Sequence, residues 1–287
     1  MKYLQLIRIK QWIKNVFVFV PVFFAGKFTD SDLLLLSFLG FIIFSLSASA
    51  VYTLNDYIDV KSDQNHPEKK NRPLASGAIK KSSAIVLMAF LIIIIAGIVF
   101  YIGNWKVAAV AAIYMLINLG YSFGLKHIPI IDILIIAIGF ILRVVMGGVI
   151  TGIPISDWAI LLTFSLAMVL GIGKRRGELI NSELSGNTRK ALDGYNVDFL
   201  NIALAVCSVV TIVCYVMYTL SPEVQARIHH YVFYTFVFIF VGLLRYLQQT
   251  LVYNKTESPT KMVYKDLFLQ ITIFLWGISF VLLIYFR

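Results

Sequence analysis

Residues 33–63 read LLLLSFLGFIIFSLSASAVYTLNDYIDVKSD, a long apolar run that passes directly into a group of acidic residues. The apolar part, residues 33–54, is long enough to cross a bilayer as an α-helix, because a span needs about 20 apolar residues. The acidic residues Asp56, Asp59 and Asp63 then follow at its carboxyl end. The segment therefore predicts a transmembrane helix that carries an acidic cluster to one face of the membrane.

The rest of the chain repeats this apolar character. Of its 287 residues, 59% are hydrophobic and 14% are charged, and the mean hydropathy is +0.84, which exceeds what a soluble core of this size requires. A bilayer therefore explains the formal charge of +10 better than nucleic acid does. Lipid leaves the backbone no partner outside helices and closed barrels, and these long runs lack barrel alternation. We predict one all-α integral-membrane domain, residues 1–287, a multi-pass transmembrane bundle of about nine helices near 12–28, 33–54, 82–102, 106–123, 130–150, 157–173, 198–220, 230–252 and 266–286.

The cations indicate the orientation of the predicted spans. If the N-terminus is cytoplasmic, nearly all Lys and Arg residues outside the spans lie on the cytoplasmic side. The opposite side then holds only Lys27, Lys106, Arg227 and Arg287. Such an excess is the positive-inside pattern of multi-pass proteins. We therefore expect a protein of the cytoplasmic membrane whose N-terminus and two longest polar segments, 55–81 and 174–197, face the cytoplasm.

The acidic cluster has the composition of a metal and phosphate site. On a helix Asp56, Asp59 and Asp63 share one face, with Asn55 one turn before Asp59. Three carboxylates on one face repel each other unless a cation lies among them. Mg²⁺ prefers such oxygen ligands and fills its remaining positions with substrate phosphate and water. A diphosphate site is one interpretation. The other is a solvated helix end that is neutralised by Lys61, Lys69, Lys70 and Arg72.

The motif Asn-Asp-x-x-Asp-x-x-x-Asp at residues 55–63 and the tail HPEKKNRPLASG at residues 66–77 resemble the UbiA-type intramembrane prenyltransferase superfamily. Motif, tail, helix number and sidedness all agree with this superfamily. The resemblance implies Mg²⁺, two aspartate-rich segments and a lateral opening through which a polyprenyl chain enters the helix bundle. It supports metal binding by Asn55, Asp56, Asp59 and Asp63 and catalytic roles for Asp56 and Asp59. Pro67, Pro73 and Gly77 break the helix, so the following cations lie on a loop that can fold over the site. The candidates for substrate contacts in this region are Lys61, Lys69 and Arg72.

The N-terminal stretch RIKQWIKNVFVFVPVFFAG, residues 8–26, is similar to the decaprenyl-phosphate phosphoribosyltransferase branch of this superfamily. The resemblance implies transfer of a phosphoribosyl group from phosphoribosyl pyrophosphate to a polyprenyl phosphate. Lys14 and Asn15 are then candidates for substrate contacts. Arg8 and Lys10 are explained equally well as substrate contacts and as cationic anchors of the first span.

The second long polar segment departs from the superfamily pattern. GKRRGELINSEL, residues 173–184, stands where most relatives have a second run of aspartates. Glu178 can still supply one metal ligand. The cations Lys174, Arg175 and Arg176 suit a substrate with additional phosphate oxygens, since Arg binds phosphate in a bidentate manner. The alternative is a basic patch that binds anionic lipid heads. No role is assigned to Glu183, Asp193, Tyr195 or Asp198.

The turn between the fourth and fifth predicted spans, residues 121–132, contains Tyr121 and Lys126. They match a Tyr/Lys pair that many superfamily members place beside the diphosphate, so the resemblance implies that Lys126 helps to neutralise the leaving group. Asp132 and Arg143 share one face of the fifth span but are three turns apart, too far for direct contact. Because a buried arginine alone is costly, we expect a pair bridged by water or substrate, with either a functional or a structural role. Arg143 is therefore also a candidate for substrate binding.

Together these features favour a magnesium-dependent enzyme that transfers a 5-phosphoribosyl group from phosphoribosyl pyrophosphate to a polyprenyl phosphate and releases diphosphate. The acceptor needs little help from a base, because a second pKa of about 6 leaves it largely anionic. The alternative enzyme transfers a prenyl group from a polyprenyl diphosphate to an aromatic, quinone or haem precursor. A third interpretation is a transporter or lipid-binding protein, which would also use intramembrane polar residues.

Overall fold

The computed structural model describes residues 2–65, 69–185, 190–254, 262 and 264–285, and this part of the chain is helical without a β-strand. The α-helices are α1 (Lys2–Leu6), α2 (Val20–Phe24), α3 (Ser31–Ile58), α4 (Val60–Gln64), α5 (Lys81–Ile102), α6 (Trp105–Phe123), α7 (Ile131–Thr151), α8 (Asp157–Ser185), α9 (Val197–Leu220), α10 (Pro222–Arg227), α11 (Phe236–Leu251) and α12 (Leu267–Tyr285). Segments of 3₁₀ helix cover Ile9–Phe19, Lys69–Asn71, Leu125–His127, Lys190–Gly194 and His230–Thr235. The all-α class predicted from the sequence is confirmed.

Among the described residues, eight helical segments are long and apolar enough to cross a membrane, so the chain is a multi-pass membrane protein. They are α3, α5, α6, α7, residues Asp157–Asn181 of α8, α9, the continuous segment His230–Leu251, and α12. These segments correspond to the second through ninth predicted spans.

The first predicted span, 12–28, is helical but of a different kind. A 3₁₀ helix of 11 residues, Ile9–Phe19, continues directly into α2. Pro21 lies at the start of α2 and has no N–H to donate to the preceding turn. A 3₁₀ helix rises about 2.0 Å per residue, more than an α-helix, so the segment reaches further than its residue number indicates.

Close backbone packing holds this N-terminal segment in place. A Cβ atom on Gly147 would lie 2.0 Å from the carbonyl oxygen of Val18, and one on Gly40 would lie 3.1 Å from Val18 Cγ1. Small residues permit such an approach between membrane helices. Glycines on α7 and α3 therefore allow the N-terminal segment to lie directly beside the span that carries the acidic motif.

Residue contacts divide the chain into two units. The first comprises Met1–Leu125 and Leu142–Pro154, and the second comprises Lys126–Ile141 and Ile155–Arg287. The core of the first unit includes Val18, Ile43, Phe44, Ala111 and Met146. The core of the second unit includes Val169, Ile172, Leu200, Leu204 and Tyr246. Each unit has its own buried core, and the single domain expected over residues 1–287 stays a prediction.

α3 combines an apolar exterior with a buried polar stripe. Asp30 caps its N-terminus by accepting hydrogen bonds from two backbone N–H groups of the first turn. Ser45, Ser49 and Thr53 are buried, and the hydroxyls of Ser49 and Thr53 each donate to a carbonyl one turn earlier at 2.8 Å. Such bonds satisfy hydroxyl groups where no water is available. The stripe leads along α3 to the acidic residues at its end.

Candidate active site

The acidic motif lies where α3 ends. α3 stops at Ile58, Asp59 is the single residue between the two helices, and α4 follows. Backbone hydrogen bonds from Asp59 N to Asn55 O (2.9 Å) and from Asp63 N to Asp59 O (2.8 Å) preserve the helical register across this break. The motif therefore keeps the spacing of one helical face although the helix itself is interrupted.

Two arginines bind the carboxylates of the motif. Asp56 and Asp63 are buried, and Arg72 Nη1 donates both to Asp56 Oδ1 (3.0 Å) and to Asp63 Oδ2 (2.7 Å). Arg8 Nη2 donates to the same Asp56 oxygen at 2.5 Å. The arginine side chains stay 24% and 26% exposed. We call Asp56, Asp63, Arg8 and Arg72 the α3 cluster.

Two oxygen atoms at this site are left for a ligand. Asn55 Oδ1 is buried and accepts no hydrogen bond from the residues that the structure describes. Both arginines bind Oδ1 of Asp56, and no donor from the described ranges reaches its Oδ2. Amide and carboxylate oxygens are ligands that Mg²⁺ accepts, and it commonly takes only one or two carboxylates besides substrate phosphates.

No group of three or more Asp, Glu, His or Cys side chains within residues 2–65, 69–185, 190–254 and 264–285 is arranged to hold a metal ion. The oxygen atoms left at Asn55 and Asp56 therefore fit a magnesium ion whose remaining ligands come from a phosphate substrate and water. These two oxygen atoms are too few to complete the coordination of a metal ion without ligands from substrate and water.

The tail after the motif fixes the position of Arg72. Leu74 and Ile79 are buried against Leu6 of α1, and Gln64 Nε2 donates to the Ala75 carbonyl at 3.2 Å. This packing anchors the backbone on the carboxyl side of Arg72. Residues 66–68, the start of the HPEKKNRPLASG tail, lie outside the described residues. The two lysines assigned to substrate contacts in this region are exposed: Lys61 and Lys69.

Arg8 is held towards the motif by the N-terminal segment. Its backbone is left-handed, with φ 52°, and its guanidinium lies over the Tyr52 ring at 4.8 Å. On either side of it, Ser49 Oγ shares its one proton between Ile7 O and Ser45 O, each at 2.8 Å, and Trp12 Nε1 donates to Ser49 Oγ (3.0 Å). The ion pair with Asp56 favours the site interpretation of Arg8 over that of a membrane anchor.

A buried cation of the first unit, Arg143, lies among polar and aromatic groups. Its Nε donates to Asn15 Oδ1 (2.8 Å), and Asn15 Nδ2 donates to Ser45 Oγ (2.9 Å). The guanidinium lies 5.0 Å from the Phe44 ring centre and 5.2 Å from that of Tyr114. Aromatic faces stabilise a desolvated cation. Asn15 and Arg143, both assigned to substrate binding, thus contact each other and are buried.

Asp132, in the first turn of α7, belongs to a fully bonded cluster of the second unit. Arg175 Nε donates to Asp132 Oδ2 (2.5 Å), and the Tyr195 hydroxyl donates to Asp132 Oδ1 (2.8 Å). Asp132 and Arg175 are 0% and 1% exposed. We call Asp132, Arg175 and Tyr195 the α7 cluster. Asp132 and Arg143 each bind a partner far away in sequence, which spacing along one helix does not reveal. The expected pair bridged by water or substrate stays a prediction.

The three cations of the GKRRGEL segment have different surroundings. Lys174 is half-buried, with its side chain 43% exposed and Nζ 3.6 Å from Glu178 Oε1. Arg175 is buried. Its Nη1 donates to Glu178 Oε2, and its Nε donates to Asp132 Oδ2. Arg176 is also buried. Its guanidinium donates to three neutral oxygen atoms: Asn201 Oδ1 (2.7 Å), Thr250 O (2.6 Å) and Asn254 Oδ1 (2.8 Å). Of the three cations, Lys174 has the most exposed side chain.

The remaining residues assigned to substrate or catalysis are Lys14, Tyr121 and Lys126, and all three are half-buried. Tyr121 lies in the last turn of α6, and Lys126 lies in the 3₁₀ segment Leu125–His127. Their roles, like that of Glu178 as a metal ligand, stay predictions. Sequence reasoning missed Tyr52 and Tyr195, since a single tyrosine outside a motif carries no spacing signal.

The UbiA prenyltransferase family model matches residues 15–173. The chain is 30% identical to decaprenyl-phosphate phosphoribosyltransferase of Mycolicibacterium smegmatis over 282 residues, which cover 94% of this chain and 88% of the relative. It is 31% identical to the Mycobacterium tuberculosis H37Rv enzyme of the same name over 226 residues, 76% of this chain and 73% of the relative. The solved structure of a UbiA homolog from Archaeoglobus fulgidus bound to DMAPP and Mg²⁺ superposes with a TM-score of 0.72 at 19% identity, covering 98% of this chain and 99% of that one. These matches confirm the resemblance and the helical fold.

Proposed function

Because this chain belongs to the UbiA prenyltransferase family and is a transferase, we propose that it moves a 5-phosphoribosyl group from phosphoribosyl pyrophosphate to a polyprenyl phosphate and releases diphosphate. The observation that carries this proposal is the α3 cluster, in which carboxylates and partly exposed arginines alternate within hydrogen-bonding distance. The transferred group and the polyprenyl phosphate acceptor follow the name of the mycobacterial relatives, decaprenyl-phosphate phosphoribosyltransferase. The positive-inside pattern supports a cytoplasmic N-terminus and active site.

The α3 cluster suits a donor with several phosphates. Asn55, Asp56 and Asp59 offer oxygen atoms to Mg²⁺, which when bound supplies charge neutralisation to the departing diphosphate. Arg8 and Arg72 keep part of each guanidinium exposed, and a guanidinium has five N–H donors, so both retain groups that can bind phosphate oxygens. Phosphoribosyl pyrophosphate carries a 5-phosphate besides its diphosphate. A site with both metal ligands and arginines fits that charge distribution.

The transfer is a substitution at C1 of the ribose. An oxygen of the polyprenyl phosphate forms the new C–O bond from the face opposite the diphosphate, which leaves with the electron pair of the broken bond and inverts the anomeric centre. The acceptor is already largely anionic, since its second pKa is about 6, so no side chain is required to remove a proton. Lys126 adds positive charge that stabilises the leaving diphosphate.

The test uses membranes that contain the full chain. Radiolabelled phosphoribosyl pyrophosphate and a polyprenyl phosphate are expected to give a lipid-soluble label that disappears when Mg²⁺ is chelated and is absent from membranes without the protein. Mass spectrometry of the lipid identifies the transferred group. No label from intact substrates, in membranes where the protein is folded, would overturn the proposal.

A second candidate is prenyl transfer from a prenyl diphosphate to an aromatic acceptor. The likeness in fold to the homolog bound to DMAPP and Mg²⁺ favours it. Both reactions release diphosphate, so the same metal ligands serve either one. Parallel assays with a labelled prenyl diphosphate and an aromatic acceptor separate the two. Label transfer in that assay alone would establish the second candidate.

A further inference from the structure

The turn that precedes α7 has an unusual backbone. Ile130 has φ 68°, in the left-handed region that a β-branched residue rarely occupies. α7 begins at the next residue, and the N–H groups of Ile133 and Leu134 already donate to the Ile130 carbonyl at 3.1 and 2.8 Å. A conformation of this kind persists only where surrounding contacts hold it.

Tyr195 and its neighbour supply these contacts. The Tyr195 hydroxyl accepts a hydrogen bond from Ile130 N at 2.5 Å and donates to Asp132 Oδ1 at 2.8 Å. Gly194 packs so closely against Pro129 that a Cβ atom there would lie 2.3 Å from Pro129 Cγ. Two successive residues before α9 therefore clamp the backbone of the turn on both sides of its left-handed residue.

The clamp is itself fixed by α8. Arg175 Nε holds the other oxygen of Asp132 at 2.5 Å, and both groups are fully buried. Burial, with the bond to Asp132 adding to it, raises the pKa of Tyr195 well above its ordinary value. The hydroxyl therefore stays protonated throughout the neutral range and keeps donating to Asp132. It has no proton to exchange there, so its contribution is geometric.

We propose that Tyr195 is a positioning residue for Lys126. Lys126 lies in the 3₁₀ segment Leu125–His127, and the clamped Ile130 lies at the other end of the same turn. Loss of the Tyr195 hydroxyl lets Ile130 relax towards an ordinary backbone conformation, which shifts the segment that carries the Lys126 ammonium. The inference rests on the proposed function, in which Lys126 stabilises the leaving diphosphate. Tyr195 acts through Lys126 and does not touch the substrate.

The first measurement is kinetic. Tyr195→Phe removes only the hydroxyl, and Tyr215→Phe is a matched control. Tyr215 is also a buried tyrosine of the second unit, and its hydroxyl has two hydrogen bonds, with Thr235 Oγ1 (2.5 Å) and from Trp276 Nε1 (2.8 Å). We expect kcat per folded molecule to fall about tenfold in Tyr195→Phe, with both KM values within about twofold of the parent. Tyr215→Phe is expected to keep kcat within about twofold.

A double-mutant cycle tests whether Tyr195 acts through Lys126. In a Lys126→Ala background, Tyr195→Phe is expected to lower kcat no further, because residues that act through one another are not additive. A full additional tenfold loss in that background would overturn the positioning role and leave the proposed function intact.

A second measurement does not depend on the reaction. Hydrogen exchange at the Ile130 amide is expected to accelerate in Tyr195→Phe and to stay slow in Tyr215→Phe, since the hydroxyl is the acceptor for that N–H. Gly194→Ala, whose Cβ collides with Pro129, offers a second route to the same loosening if Tyr195→Phe folds poorly. Unchanged Ile130 exchange in both variants would overturn the clamp. Absence of product from the parent protein would overturn only the proposed function.

Discussion

The α3 cluster and the α7 cluster contain the same chemical groups, carboxylates bonded by arginine. They differ in how many of the carboxylate oxygens are bonded and in how far the arginines are buried. In the α3 cluster both arginines bind one oxygen of Asp56 and remain partly exposed. In the α7 cluster both oxygens of Asp132 are bonded, and Arg175 is buried. A saturated buried pair has no group to offer a ligand. The first cluster therefore has the features of a binding site, and the second those of a scaffold.

The largest effect is expected at the centre of the α3 cluster. Asp56→Asn removes the charge that holds both arginines and, in the proposed mechanism, a carboxylate ligand of Mg²⁺. We expect product formation to fall at least about 1,000-fold, since metal-assisted neutralisation contributes several kcal/mol and about 1.4 kcal/mol corresponds to a factor of ten. The free energy of unfolding is expected to change by only about 1 kcal/mol, because Arg8 and Arg72 stay partly hydrated. The lipid product and the thermal midpoint in detergent are the two measurements.

Asp32→Asn is the matched control for this substitution. Asp32 is an exposed aspartate in the first turn of the same helix, and it lies at the end opposite the motif. It is expected to retain full turnover. Activity in Asp56→Asn within a factor of ten of the parent would contradict the assignment of the α3 cluster as the binding site.

The next effect is on stability and belongs to the α7 cluster. Arg175→Met keeps an aliphatic side chain but leaves Asp132 buried with one oxygen unpaired. Loss of one partner of a buried ion pair costs about 3–5 kcal/mol, which thermal or denaturant unfolding in detergent would detect. Adding Asp132→Asn, which keeps an acceptor for Tyr195, is expected to restore a large part of the loss. A stable Arg175→Met protein with a raised KM for the donor would instead return Arg175 to the phosphate-binding role.

The sequence predicted best what depends on local rules. The length of residues 33–54 and their apolar character predicted α3, since the bilayer requires a helix of that length. The spacing of Asp56 and Asp63 predicted that they share a face, and Arg72 does bridge them. The Asn55 amide was likewise included from its place in the motif.

The sequence could not predict pairings made by packing between distant segments. Arg175 and Asp132 are 43 residues apart, and Arg143 and Asn15 are 128 apart, so no helical periodicity relates them. The cations at positions 174–176 looked equivalent as consecutive charges. Successive residues on a helix point about 100° apart, so each one meets a different environment, and the packing decides which. Tyr195 gave no signal for the same reason.

An intermediate effect is expected at Arg72, whose side chain is partly exposed, unlike that of Arg175. Arg72→Gln keeps a donor for Asp63 but removes the charge. We expect KM for phosphoribosyl pyrophosphate to rise about tenfold, because hydrogen bonds to charged groups contribute about 1.5–3 kcal/mol. Lys70→Gln removes a charge from the same loop at an exposed position and serves as the control. It is expected to change KM less than about twofold. Equal increases in both variants would mean that the loop acts through its total charge alone.

The smallest effect is expected at Lys174, the most exposed cation of the GKRRGEL segment. Its pair with Glu178, at 3.6 Å, is of the solvent-exposed kind that contributes about 0–1 kcal/mol, so Lys174→Ala leaves stability nearly unchanged. If this segment contacts the phosphates of the donor, KM for phosphoribosyl pyrophosphate is expected to rise about threefold in Lys174→Ala. Arg176→Gln is the counterpart, because every acceptor of its buried guanidinium within the described part of the chain is a neutral oxygen. It is expected to lower the thermal midpoint and leave KM alone. A raised KM in Arg176→Gln at full stability would show that its buried guanidinium turns towards substrate, and the division between binding and scaffold arginines would fail at that position.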